Sequence, residues 1–205
     1  METSLQRVVT LKRIFILNGH PAKASLSKTL ADQYGETAAA RGHEVRLSNI
    51  QEMDFDSDFG FGGYVQIKSL EPALEQFLAD LRWADHIVLV TPMWWGGLPA
   101  KLKGLIDRSF LPGKAFDTRT KTLIGFPSPM FEGKTARVIV TSDSPNWLMA
   151  ICYGNALFRQ IRHQVLGFVG IKPTRFTHFN MATHPKPGQV QSWLQSIEKL
   201  AAQGA

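Results

Sequence analysis

Cysteine and long apolar runs are almost absent from this sequence. Cys152 is the only cysteine among the 205 residues, which excludes an internal disulfide and favours a reducing compartment. No segment reaches the roughly 18–20 apolar residues that a membrane-spanning helix needs. Residues 1–12 are mixed in polarity and lack the apolar centre of a signal peptide. We therefore expect a cytoplasmic protein that has no transmembrane segment and begins with a short extension over residues 1–12.

The common signatures of nucleotide, metal and hydrolase sites are missing as well. Gly60 and Gly62 are followed by Val65 where a GxGxxG motif needs its third glycine, and no Walker motif occurs. The six histidines show no HxxxH or similar ligand spacing, and one cysteine cannot form a ligand pair. The GxSxG string of α/β-hydrolases is absent. We therefore expect neither a catalytic metal nor a serine hydrolase of that type.

The composition is typical of a soluble globular protein. Hydrophobic residues make up 44% and charged residues 20% of the chain, which is long enough to bury one full core. The net charge of +6 permits attraction to anionic ligands. Lysine and arginine are scattered rather than gathered in one run, so nucleic acid is not an expected partner. We expect a single domain over residues 13–205.

Short apolar segments alternate with segments of helical periodicity along the chain. This alternation predicts an α/β fold with a doubly wound, five-stranded parallel sheet. The predicted strands cover residues 13–17, 43–47, 86–91, 137–141 and 173–180. The first predicted helix ends at Arg41-Gly42, and the others cover residues 72–83, 99–110, 151–168 and 189–202. Residues 111–135 are predicted as one long connection.

Residues 85–110 are the segment around which the chain is organised. The run from His86 to Thr91 is apolar and rich in β-branched residues, which is typical of a strand buried on both faces. Pro92 ends the run because proline has no N–H for the sheet. An aromatic loop follows, Met93-Trp-Trp-Gly-Gly97, and a helix begins near Pro99. Ligands of open α/β sheets bind at the carboxyl ends of the strands, so this loop is predicted to lie against a planar cofactor.

The turn after the first strand has the composition of a phosphate site. Asn18-Gly-His-Pro21 ends the strand, and Ser25 and Ser27 stand where the next helix begins. Free N–H groups and the positive end of the helix dipole bind phosphate at such a place, and hydroxyl groups add donors. The alternative is that both serines only cap the helix.

A third loop, from Thr141 to Trp147, follows the fourth strand and carries hydroxyl groups and the acid Asp143. Loops at the carboxyl ends of parallel strands share one edge of the sheet. Phosphate donors, aromatic walls and hydroxyl groups at one edge favour a phosphorylated planar cofactor over a metal.

Three segments of the sequence resemble a known family. Ile16-Leu-Asn-Gly-His-Pro21 with Ser25-Leu-Ser-Lys28, and the run from Thr91 to Gly104, are similar to the two signature segments of the NAD(P)H:quinone oxidoreductase family. Leu166-Gly-Phe-Val-Gly-Ile171 resembles a later GF-x-G segment of that family. The resemblance covers about residues 13–180. It implies the flavodoxin-like fold with strand order 2-1-3-4-5, a bound flavin, NADH or NADPH as hydride donor, and quinones or similar electrophiles as acceptors.

By position, the resemblance also implies the residues of the flavin site. The phosphate end would be held by His20, Ser25, Leu26 and Ser27. The ring would lie against Pro92, Met93, Trp94, Trp95 and Gly96, and its other edge against Thr141, Ser142 and Asp143. Proton transfer would be assisted by Tyr153 and His163. FMN is favoured over FAD because the sequence has no obvious extra segment for an adenosine.

Two positions depart from the family pattern. Asp143-Ser144 stands where the best-known quinone reductases have Gly-Gly, and Trp94 stands where they usually have a smaller polar residue. An acid beside the pyrimidine edge of the flavin would disfavour the anionic reduced form, unless the carboxylate points away from the ring.

Other interpretations of the same motifs remain open. A nitro- or azo-reductase of this fold, or a regulatory subunit of a membrane transporter, would share them. One-electron flavodoxin-type carriers are usually acidic, and the pI of about 9.6 argues against one. The structural alternatives are that Trp94 and Trp95 are core or interface residues, that His20 belongs to a turn, and that Tyr153 only packs.

The number of aromatic residues on loops predicts association. Five large aromatic residues exceed what one flavin ring can cover: Phe59, Phe61, Trp94, Trp95 and Trp147. Exposed apolar surface of this kind marks interfaces. We expect a homodimer in which the glycine-rich 57–64 loop of one chain covers the flavin of the other.

Overall fold

The computed structural model describes residues 10–60 and 68–205. The strands are β1 Arg13–Asn18, β2 Glu44–Asn49, β3 His86–Pro92, β4 Phe116–Lys121, β5 Pro127–Pro129, β6 Thr135–Thr141 and β7 Thr174–Phe179. The helices are α1 Leu26–Ala40, α2 Pro72–Trp83, α3 Ala100–Ser109, α4 Asn146–Ile151, α5 Ala156–Arg159 and α6 Gln189–Ala201. A 3₁₀ turn covers Ile50–Glu52, and α5 continues directly into a π-helix, Gln160–Leu166.

Five strands form one sheet in the order β2-β1-β3-β6-β7, and each neighbouring pair is parallel. β4 and β5 form a separate antiparallel hairpin. Without the hairpin strands, the order is the predicted 2-1-3-4-5. The carboxyl ends of β1, β3, β6 and β7 therefore meet along one edge of the sheet, where ligands of this architecture bind.

Helices cover both faces of the sheet, as expected of a doubly wound fold. One core cluster packs α2, α3 and the π-helix against the face that carries Phe15 and Leu89. The other packs α1 and α6 against the face that carries Ile16 and Val88. β3 is buried at every position because it lies between covered neighbours on both sides. This confirms the prediction of a strand buried on both faces.

The helix boundaries follow the capping residues of the sequence. Pro72 occupies the first turn of α2, whose bounds are the predicted ones. Ser25 caps the start of α1. After the end of α1, Gly42 has a φ of +89°, a left-handed backbone that glycine adopts without strain.

Two segments differ from the prediction. The long connection contains the hairpin β4–β5, which periodicity does not reveal because Phe116 is the only buried residue of β4. The single helix predicted over residues 151–168 is instead α4, α5 and the π-helix. Gly154 and Asn155 separate α4 from α5, with φ angles of 54° and 52° that no helix can contain.

Phe61 and the end of the glycine-rich loop lie outside the described residues, as do residues 1–9, and the expectations for them stay predictions. Within the part of the chain that the structure describes, no helix is both long and apolar enough to cross a membrane.

Candidate functional site

Two adjoining pockets open at the carboxyl edge of the sheet. The first, called the polar pocket, has a volume of about 190 Å³ and lies between the ends of β1, β3, β6 and β7. The second, called the aromatic pocket, has a volume of about 530 Å³ and is bounded by the aromatic loop and by α4 and α5. Met93, Ser142 and Asp143 line both pockets, so the two form one continuous crevice.

Most of the sequence-predicted cofactor residues line this crevice. The polar pocket contains His20, Leu26, Ser27, Pro92, Met93, Trp94, Thr141, Ser142 and Asp143. The aromatic pocket adds Trp95 and Gly96. Ser25 lines neither pocket. Three loops that are far apart in sequence are thus brought together because their strands end at the same edge.

The two serines at the start of α1 have different surroundings. Ser25 Oγ accepts a hydrogen bond from the Lys28 N–H at 3.1 Å, which is the geometry of a helix cap. Ser27 is 1% exposed and lines the polar pocket, and its Oγ has no partner among the described residues. Buried polar atoms are nearly always paired. A phosphate oxygen at the positive end of α1 would supply the missing partner.

His20 is held as a neutral donor beside the same pocket. Its Nδ1 accepts a hydrogen bond from the Ala22 N–H at 3.0 Å, and its backbone N–H donates to Asn18 Oδ1 at 3.2 Å. Burial lowers the pKa of His20. With Nδ1 accepting, the proton of the neutral ring is on Nε2. The ring stands edge-on to Trp94, with centroids 5.5 Å apart.

The aromatic loop is a tight β-turn. Trp94 and Gly97 exchange two backbone hydrogen bonds of 3.0 and 2.9 Å. The central residues, Trp95 and Gly96, have φ angles of 51° and 75°, as in a type I′ turn. A left-handed backbone is rare for a bulky aromatic residue. The turn holds the Trp95 side chain fully exposed at the mouth of the aromatic pocket.

The third predicted loop carries two side-chain contacts at the wall of the crevice. Ser142 Oγ lies 2.8 Å from Nε2 of His178 on β7, and burial lowers the pKa of that histidine. Asp143 accepts hydrogen bonds from the hydroxyl and the backbone N–H of Thr183, and these bonds lower the pKa of its carboxyl group. The carboxylate of Asp143 therefore holds the segment after β7.

The predicted catalytic pair is not brought together. Tyr153 lines the aromatic pocket and is 58% exposed. His163 lies on the π-helix, is exposed and lines neither pocket. In residues 10–60 and 68–205, no group of three or more His, Cys, Asp or Glu is placed to hold a metal ion.

A fourth strand-end loop belongs to the crevice and was missed by the sequence analysis. Ala182 and Thr183, which follow β7, line the polar pocket. The sequence could have indicated this loop, because a loop that follows a parallel strand lies at the edge of the sheet where ligands bind. The strand itself was predicted, over residues 173–180, but the loop after it was not assigned to the site.

Comparison with known proteins places these features in a family. A family model described as the flavodoxin-like fold matches residues 12–201. The ribosyldihydronicotinamide dehydrogenase-like protein traD of Penicillium crustosum is 29% identical over 119 residues, which is 49% of this chain and 45% of that protein. The FMN-dependent NADH:quinone oxidoreductase of Aeromonas salmonicida (strain A449) is 26% identical over 178 residues, 85% of this chain and 86% of that protein.

Among solved structures, the NAD(P)H:quinone oxidoreductase from Methanothermobacter marburgensis has a TM-score of 0.78. It is 19% identical and the match covers 94% of this chain and 96% of that one, so it shows the shared fold. The chain spans about half the length of some curated relatives that it matches, 45% for the Penicillium protein. These matches confirm the resemblance to the quinone oxidoreductases that the sequence motifs indicated.

Proposed function

Because the chain belongs to the family with the flavodoxin-like fold, we propose that it is an FMN-dependent NAD(P)H oxidoreductase that reduces quinones or similar electrophiles. The reaction follows a two-electron, ping-pong course, in which the nicotinamide and the acceptor occupy the same place in turn. The names of the Penicillium and Aeromonas relatives, a ribosyldihydronicotinamide dehydrogenase-like protein and an FMN-dependent NADH:quinone oxidoreductase, support this proposal.

One observation carries the proposal. The polar pocket contains a buried hydroxyl group, Ser27 Oγ, that no residue in the described part of the chain binds, at the amino end of a 15-residue helix. The adjoining aromatic pocket offers flat, exposed aromatic surface from Trp95 and Tyr153. An anion site that continues into an aromatic slot fits a phosphorylated planar cofactor.

The residues have separate tasks in this proposal. Ser27 and the Nε2–H of His20 donate hydrogen bonds to the phosphate, while Ser25 holds the turn by capping α1. Met93, Trp94 and Trp95 bound the ring, and Ser142 offers a hydroxyl group to its other edge. A bound flavin supplies the hydride acceptor and donor. The chain contributes the stacking geometry, the orientation of the two substrates and the exclusion of water.

FMN is the flavin that the crevice suits best. The polar pocket, of about 190 Å³, is bounded on the side of β7 by Ala182 and Thr183. The Aeromonas relative carries FMN in its name. A cytoplasmic location and a single domain over residues 13–205 stay predictions.

We also infer a homodimer with the acceptor site at its interface. Trp95, Trp147, Ile151 and Tyr153 are exposed large side chains on or near the aromatic pocket. Trp147 and Ile151 lie four residues apart on α4 and therefore share one face of it. Phe59 lines a different pocket, between α3 and the π-helix. The patch around α4 is thus the better support for an interface.

The decisive experiment uses the protein as purified. The visible spectrum is expected to show a flavin, and mass spectrometry of the released cofactor is expected to identify FMN. NADH or NADPH should bleach the spectrum, and a quinone should restore it without forming a ternary complex in steady-state kinetics. A colourless protein that takes up neither FMN nor FAD on reconstitution would contradict the proposal.

A further inference from the structure

Another cavity lies at the opposite, amino-terminal edge of the sheet and has no part in the proposed function. It has a volume of about 100 Å³, and its walls include Lys12, His86, Thr135 and Arg175, with the segment 204–205 beside them. His86 and Thr135 begin β3 and β6 and are paired in register. We call this space the amino-edge cavity.

His86, which lines this cavity, has a buried ring nitrogen that no described residue binds. Its side chain is 3% exposed, and its Nδ1 lies 2.7 Å from Thr135 Oγ1. Its Nε2 is buried and has no hydrogen-bond partner among the described residues. When Nδ1 accepts from the threonine hydroxyl, the proton of the neutral ring is on Nε2, which then needs an acceptor. An acceptor inside the cavity would satisfy it.

The two charged side chains that line the cavity, Lys12 and Arg175, are both positive. Lys12, Arg137 and Arg175 form no ion pair within 4 Å in the described part of the chain. Asp85, the residue before His86, is instead paired with Arg13 at 2.7 Å. Positive charges without acidic partners attract an anion.

The pKa of His86 also reflects the positive charges around the cavity. Burial lowers the pKa of His86 to about 3, and the positive charges of Lys12, Arg137 and Arg175 contribute to the shift. Two more buried nitrogens at this edge lack a partner among the described residues, His43 Nε2 and Arg137 Nε. Lys12 Nζ donates to the backbone oxygen of Gly204, and the Tyr34 hydroxyl donates to a backbone oxygen of Ala205.

We propose that the amino-edge cavity binds a compact oxyanion, with Lys12 and Arg175 supplying charge and His86 Nε2 donating a hydrogen bond. A volume of about 100 Å³ equals the share of about three water molecules in the liquid. A phosphate or carboxylate group fits this space, and a nucleotide does not. The site is separate from the flavin crevice and does not depend on flavin binding.

The test is a titration of inorganic phosphate into the flavin-saturated protein at constant ionic strength. Binding is measured by calorimetry and through the ¹H–¹⁵N resonances of the histidine rings. We expect saturable binding of one phosphate per chain and a shift of the His86 Nε2 resonance. The His20 resonance, which reports on the polar pocket, should stay in place. If the protein takes up no flavin, the same two resonances still distinguish the amino-edge cavity from the polar pocket.

Charge variants identify the binding residues. Arg175→Gln and Lys12→Gln should each weaken phosphate binding by at least about tenfold, the effect of losing a charge-assisted hydrogen bond. Arg41→Gln removes the same charge at the same edge but outside the cavity, and should leave the affinity unchanged. An acetate titration compares a carboxylate with phosphate as the preferred group. Absence of saturable binding, an unmoved His86 resonance or an equal loss in Arg41→Gln would overturn the proposal and leave the cavity to water.

Discussion

Ser25 and Ser27 stand two residues apart at the start of α1, yet only the hydroxyl group of Ser25 has a hydrogen-bond partner in the described part of the chain. Ser25 Oγ accepts from the Lys28 N–H at 3.1 Å, whereas Ser27 Oγ is buried and unpaired in the polar pocket. The sequence left open whether both serines cap the helix or both bind phosphate. The structure distinguishes the two serines: Ser25 caps the helix, and Ser27 lines the pocket.

This separation gives a prediction with an internal control. Ser27→Ala should weaken FMN binding by at least about tenfold, because a hydrogen bond to a charged phosphate is lost. The same change should not lower the stability of the flavin-free protein, since it removes a buried unpaired hydroxyl. Ser25→Ala should instead destabilise the fold by about 1 kcal/mol through loss of the helix cap. Flavin titration and thermal unfolding of both variants measure the two effects, and equal losses of FMN affinity would refute the separation.

Asp143 gives a second prediction, on the departure from the Gly-Gly pattern of the family. Its carboxylate is occupied by the N–H and hydroxyl of Thr183, at 2.8 and 2.6 Å, rather than being free to face the flavin ring. Asp143→Gly should therefore change the two-electron potential of the flavin little, and should weaken FMN binding by up to about tenfold because the Thr183 segment of the polar pocket is released. Asp143→Asn, which removes the charge and can still bond Thr183, should retain most of the affinity.

The two-electron potential of the flavin in the Asp143 variants shows whether the carboxylate bonds Thr183 or acts on the ring. A clear rise of the potential in both Asp143 variants would mean that the carboxylate acts on the flavin through its charge. The contact with Thr183 also has a pH signature. It lowers the pKa of Asp143 below the usual value of 3.8, so its stabilisation is present above that value and is lost only as the pH falls through the lowered pKa.

The fold could be predicted from sequence where one periodicity dominates. β3 is a continuous apolar run, and α2 combines a proline at its first turn with an amphipathic stripe, so both were located closely. The hairpin β4–β5 was missed because it packs through Phe116 and little else. The interruption between α4 and α5 depends on two left-handed residues, Gly154 and Asn155. Glycine and asparagine both adopt this conformation readily, so the Gly-Asn pair was a turn signal that the helical periodicity around it obscured.

The candidate site shows the same limit. Strand-end loops identify which residues meet, since topology fixes the shared edge. Which of these residues form hydrogen bonds with one another depends on the directions of their side chains, and the sequence does not specify those directions. The different roles of Ser25 and Ser27, the pairing of Asp143 with Thr183 and the placement of His163 outside the crevice therefore emerge only from the structure.

A third prediction is that the titration of His86 makes the folded protein less stable in acid. The pKa of His86 is about 3 in the folded protein and 6.5 in an ordinary environment, so unfolding takes up a proton between these values. Stability should therefore fall as the pH drops from about 6.5 towards 3, with His86 contributing up to about 1.4 kcal/mol per pH unit. The free energy of unfolding should be measured in denaturant at several pH values, in buffers without phosphate.

Two variants isolate this contribution. His86→Asn keeps a polar group that can reach Thr135 but cannot titrate, and should flatten the pH dependence between 6.5 and 3. Thr135→Val removes the contact with Nδ1 and keeps the histidine, so it should lower stability at all pH values while the slope remains. If His86→Asn retains the full slope, other groups are responsible for the acid sensitivity.

The last prediction concerns the outer face of α4. Trp147 and Ile151 are 61% and 79% exposed on this face, while Met149 of the same helix is buried and lines the aromatic pocket. A second copy packed on the exposed face would exclude water from the mouth of the pocket.

Trp147→Asp places a charge in that interface and should give a monomer that still binds FMN, because the polar pocket is untouched, but reduces quinones more slowly. Leu11→Asp alters another exposed apolar residue away from α4 and serves as the control, since it should leave the dimer and the activity intact. Light scattering and quinone reductase assays on the same samples measure both properties, and an unaltered protein that is monomeric at micromolar concentration with full activity would rule out the interface.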